Sequence, residues 1–125
     1  MDASGEELAD RVRALLTVRG SGGDRDVDKG GNDGRIEEKR MFGTRAFLLS
    51  GHILVGARKG GVLLVRVREE TGAALVTRPG VAIAVMGPRT MGAGWLDVSP
   101  DVLGDDDALM FWLDVAREEA AGRAD

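Results

Sequence analysis

The sequence predicts an α+β two-layer sandwich: one antiparallel sheet of about five strands with helices packed on one side. Three observations carry the α+β reading. Apolar residues recur at helical spacing up to Val18 and again after Asp107, whereas most of the stretch from Ile36 to Val98 consists of short, β-branched runs. Those runs are joined by short glycine turns, which force antiparallel neighbours because a parallel return needs a long crossover. The resulting order is helix, three or four strands, helix, two strands, helix, without an internal repeat.

The first helix is expected from about Gly5 to Val18. Ser4-Gly5-Glu6-Glu7 fits a capping box, and Leu8, Val12, Leu15 and Leu16 share one face opposite Glu7, Arg11 and Arg13. Residues 19–34 follow as a Gly/Asp-rich stretch whose only sizeable apolar residue is Val27, so a flexible loop is expected there. Asp24, Asp26 and Asp28 alternate like the opening of a calcium loop. However, Lys29 and Arg35 stand where glycine and a bidentate glutamate are needed, so no metal site is expected.

Ile36–Phe42 and Ala46–Leu49 read as strands separated by a turn or bulge at Gly43-Thr44. Ser50-Gly51 turns the chain into Ile53–Ala57, and Lys59-Gly60-Gly61 turns it again. Val62–Val67 is apolar on both faces and reads as a central strand. Glu69–Val76 is a short helix with two acids in its first turn, weakened at Gly72 by about 1 kcal/mol relative to alanine and ended by Arg78-Pro79-Gly80. Val81–Met86 and Gly94–Val98 are the last strands, with Gly87-Pro88-Arg89 a turn between them. Asp105, Asp106 and Asp107 then mark a helix start, and Leu109, Trp112, Leu113, Ala116 and Ala120 line its apolar face.

With 125 residues the chain suits a single domain, 1–125. It has no cysteine, which removes disulfides, thiolate metal sites and cysteine nucleophiles. No leader pattern and no apolar run of membrane length occurs, so a cytoplasmic protein without membrane contact is expected. The net charge is −4 but unevenly spread: residues 35–68 hold 8 basic and 2 acidic side chains, and residues 96–125 hold 2 and 9. A basic middle and an acidic tail are expected to complement each other or stand solvated, and direct nucleic-acid binding is not expected.

No residue pattern points to catalysis or to a cofactor. His52 is the only histidine and follows a turn, and the Glu37-Glu38, Glu69-Glu70 and Glu118-Glu119 neighbours diverge on a strand or helix. The glycine runs lack the strand–loop–helix context of a phosphate site. Trp95 and Trp112 read as core. What remains is a concentration of cations. Lys39, Arg40, Arg45, Arg58, Lys59 and Arg66 form the candidate binding set, which antiparallel pairing can gather for an acidic protein partner. A cleft between sheet and helices holding a small molecule or substrate is the alternative, and a homodimer is compatible with either.

Lys39-Arg40-Met41-Phe42-Gly43, Ala46-Phe47-Leu48, Ser50-Gly51-His52, Val62 to Val67, Arg78-Pro79-Gly80, Met91 with Gly94-Trp95, and the Trp112 helix occur in an order that resembles the TfoX N-terminal domain family. The resemblance runs over about residues 36–118 and implies an α+β fold akin to the secretion-chaperone sandwiches. It implies no catalytic residues. Two-domain members of the family are linked to natural competence as co-regulators of transcription, so the implied partner is a protein, the transcription machinery included. The sequence carries one such domain and departs at Thr44, where a second glycine is usual, so an interaction module is the expectation.

Overall fold

The computed structural model describes residues 3–24, 36–41, 43–49, 51–86, 89–90 and 92–123. Its first helix, α1, spans Ala3–Asp24. Leu8, Ala9, Val12 and Leu16 are buried along one face, as the helical spacing requires. Both ends differ from expectation. Ser4 lies inside the first turn rather than before it, and the backbone stays helical for six residues into the stretch expected to be a loop. Propagation supplies the reason for the extension: each added residue of a helix already nucleated on the core gains one hydrogen bond. The rest of the expected loop and of the calcium-like pattern, residues 25–34, lies outside the described residues.

Strands β1 (Ile36–Met41), β2 (Thr44–Leu49), β3 (His52–Arg58) and β4 (Val62–Arg66) follow as an antiparallel meander. Met41 pairs with Thr44, so Thr44 opens β2 instead of sharing the expected Gly43-Thr44 turn. Gly43 has φ +74°, which any other residue except asparagine or aspartate would adopt with strain. A bulge falls instead between Phe47 and Leu48. Lys59–Gly61 form a single 3-10 turn, and Gly60 and Gly61 both have positive φ there.

Helix α2 is Glu69–Leu75 and α3 is Asp106–Arg123. Asp105 caps α3 as its charge pattern implies: its Oδ1 accepts from the Ala108 amide at 2.8 Å. Between the helices lie β5 (Val81–Ile83), β6 (Val85–Met86), β7 (Arg89–Thr90) and β8 (Trp95–Val98). The expected Val81–Met86 strand is therefore broken at Ala84, and Arg89 belongs to a strand rather than a turn. β5 and β8 join the main sheet, giving six strands in the order β1-β2-β3-β4-β8-β5, while β6 and β7 pair separately. Six instead of about five follows because all four strands before α2 join β5 and β8 in one sheet; β8 inserts between β4 and β5, a partner choice that no local pattern encodes.

Alternation assigns the two faces. Phe47, Val55, Leu63, Val65, Leu96 and Val98 point to the layer of α1 and α3 and form one core with Leu8, Val12, Leu109, Trp112 and Leu113. Leu64 is buried on the opposite face beside Gly56, so the central strand is covered on both sides as its composition predicts. Among the described residues no helix is long and apolar enough to cross a membrane.

Candidate functional site

The sheet divides the six candidate cations between its faces. Arg40 pairs with Arg45 across β1 and β2, and parity puts both with Glu38 on the helix face, while Lys39 takes the outer face. Arg58 and Arg66, two positions apart from the buried Gly56 and Leu64 respectively, belong to the outer face as well. Lys59 stands exposed in the turn that follows Arg58. The structure thus puts Arg58 and Lys59 at the turn end of the β3–β4 hairpin and Arg66 at the other end of β4, sets Lys39 and Arg40 on the edge strand, and turns Arg45 inward. They do not make one patch.

Two of them have structural partners. Arg58 Nη1 donates to both carboxylate oxygens of Asp97, at 2.8 and 3.0 Å, and its Nη2 donates to the Val85 carbonyl at 3.2 Å. That contact ties the β6–β7 ribbon to the outer face. Arg45 donates from Nη1 to Glu38 at 2.8 Å and from Nη2 towards Glu6 at 3.4 Å. Arg66 stays half-exposed with its guanidinium 5.2 Å from the Trp95 ring centroid, an arrangement worth about 0.5–1 kcal/mol at an exposed site. Trp95 is therefore a half-buried outer-face residue, unlike Trp112, which is core as expected.

The acidic partners were not legible as functional in the sequence. Glu38 is the hub of a cluster that binds α1 to the edge of the sheet. Arg13 grips it side-on, Nε to Oε1 and Nη2 to Oε2, both at 2.8 Å, while Arg45 takes Oε2. Asp10 accepts from the remaining end of Arg13 at 2.7 Å. The hydrogen bond from Arg13 is the main reason the Glu38 carboxyl is held down to about 2; partial burial opposes it and Arg45 adds to it. Because the folded value lies below the unfolded one of 4.5, the stabilisation is complete above about pH 4.5 and is lost as pH falls towards 2. With solvent screening discounted, it amounts to about 1–3 kcal/mol. Glu38→Gln should therefore lower the urea-unfolding free energy at pH 7 by that amount, and the gap to the parent should narrow below about pH 4.5 and close only near pH 2. A gap that stays constant with pH would assign the loss to packing instead. One signal was available beforehand: period-two alternation places Glu38 with Ile36, on the face that must meet the helices.

Glu119 is the buried carboxylate of the described residues, 6 % exposed. Its oxygens accept from the Arg68 amide (2.7 Å), the Arg68 guanidinium (3.1 and 3.2 Å) and the Thr71 hydroxyl (3.1 Å). Burial alone would raise its pKa, but these hydrogen bonds outweigh burial and leave it below the usual carboxylate range. Together with Arg58–Asp97, this contact joins the basic middle of the chain to its acidic tail, as the charge distribution suggested.

A shallow pocket between α1, the Lys59–Gly61 turn and the Pro100–Leu103 segment has a volume of about 170 Å³. It is lined by Ser4, Glu7, Arg11 and Leu103 among others. Arg11 is committed there to the Leu103 carbonyl at 2.8 Å and to Asp106. Small-molecule sites usually enclose ~300–1,000 Å³. His52 is exposed at the start of β3. Among the described residues no three His, Cys, Asp or Glu side chains are grouped to hold a metal ion.

The family model described as TfoX N-terminal domain matches residues 31–120. No curated protein and no solved structure matches the chain.

Proposed function

The chain belongs to the TfoX N-terminal domain family, and from that premise we propose that it is a non-enzymatic regulatory module that binds a protein partner. The observation that supports this reading is where the molecule spends its interior. Between sheet and helices the described side chains interlock as one apolar core, leaving the cations Arg66 and Lys59 and the Trp95 ring on the surface. A half-exposed arginine on an indole, with Lys59 a second exposed cation at the other end of the β3–β4 hairpin, suits an acidic protein surface: the aromatic supplies contact area and the charges steer the approach. The role implied by the family is co-regulation of transcription, in the cytoplasm, with a component of that machinery as the partner.

The test is capture of partners from native lysate by the parent chain and by Lys59→Glu combined with Arg66→Glu. Arg58 is left in place because its ion pair with Asp97 makes it part of the fold. The double variant should keep its Tm within a few degrees, since only a cation–π contact is lost, and should lose the specific partner. Retention of that partner by a folded double variant would discard the surface.

A further inference from the structure

The main sheet ends at β1, which pairs with β2 alone. Among the described residues nothing continues the ladder on its other side, so the backbone groups that point away from β2 form an open edge. α1 lies chiefly over β3, inboard of this edge. The strand reads Ile36-Glu37-Glu38-Lys39-Arg40-Met41, and Glu37, Lys39 and Arg40 are exposed. Charged side chains usually keep an edge from pairing, and they do so where the incoming strand brings like charges opposite each other. This one carries acids in its first half and bases in its second, a pattern complementary to itself when reversed.

We propose that β1 is a self-association edge, at which a second copy of this chain adds its own β1 antiparallel across a twofold axis to make a continuous twelve-stranded sheet. The register follows from parity and charge. A twofold normal to the sheet keeps each face on its own side, so directly facing residues must share a face. Pairing centred on Glu38 meets that condition and sets Glu37 opposite Lys39 of the second copy, twice, on the outer face. Opposite charges directly across a ladder each contribute. The two central Glu38 carboxylates do not meet as bare charges, because each is held by Arg13 and Arg45 of its own chain. The neighbouring register, centred on Lys39, would oppose two ammonium groups and require Glu38, already engaged, to serve Arg40. The surface is distinct from the Lys59–Arg66 region and does not depend on the partner proposed for it.

Sedimentation of the full chain over a range of concentrations tests this, using the parent, Glu37→Lys, Lys39→Glu, and the two combined. The parent is expected to dimerise, with an affinity that weakens as salt is raised. Each single variant turns two attractive pairs into repulsive ones and should weaken the dimer about tenfold or more. The combined variant restores opposite charges and should recover most of the affinity. Both side chains are exposed and make no ion pair among the described residues, so the variants retain their fold. A parent that is monomeric at every concentration, single variants that dimerise as well as the parent, or a combined variant no better than the singles would each overturn the proposal.

Discussion

Gly72→Ala is expected to destabilise the protein by about 2–4 kcal/mol, against the direction that helix propensity alone dictates. Alanine at an α2 interior position should gain about 1 kcal/mol. Here a β-carbon would land on the Ala93 carbonyl oxygen, well inside van der Waals contact, 2.8 Å from the carbonyl carbon and 3.2 Å from Val67 Cγ2. The obstacle is backbone, held where Val67 donates to the Gly94 carbonyl at 2.9 Å, so no side chain can rotate out of the way. α2 must instead lift from the approach to β8, and overpacking of this kind outweighs the propensity gain. Thermal unfolding should show a Tm lower by roughly 10 °C. Ala74→Gly in the same helix removes an exposed methyl and should lose only about 1 kcal/mol. A Tm for Gly72→Ala at or above the parent's would mean that α2 does not sit on Ala93.

Loss of the Glu119 carboxylate should be comparably severe. Glu119→Ala leaves the Arg68 amide and the Thr71 hydroxyl without their acceptor and opens space beside α3, for about 2–4 kcal/mol. Glu119→Gln keeps the shape and one acceptor oxygen, so its loss should be nearer 1–2 kcal/mol. Since the folded carboxyl sits below the ordinary range, its contribution is present above that range and disappears as pH falls beneath it. Urea unfolding at pH 7 measures the first effect, and repeating it in acid should bring parent and Glu119→Gln together. An alanine variant within 0.5 kcal/mol of the parent, the ordinary scatter of surface substitutions, would show that the contact contributes nothing.

These two residues mark where local reading of the chain stops. Gly72 looks like a weak point in a helix, and Glu119 looks like one of two adjacent surface acids. Each takes its meaning from a residue far along the chain: Ala93 for the glycine, Arg68 and Thr71 for the glutamate. The candidate cations behave alike. That they concentrate in residues 35–68 is visible in composition, but their division between faces depends on the ladder register. Arg45 and Arg58 serve the fold through Glu38 and Asp97, whereas Lys59 and Arg66 remain available at the surface.

By itself the sequence determined the fold class, most element positions, the central strand, the capped start of α3 and the family. Each of these rests on periodicity, turn chemistry or an ordered set of short motifs, all of which act over a few residues. Tertiary structure alone decided that β8 inserts between β4 and β5, that the Val81–Met86 run breaks into two strands, and that Glu38 and Glu119 are the anchors of α1 and α3. Those outcomes are choices among partners distant in sequence, made by which apolar faces and charges can be satisfied together once the chain is packed.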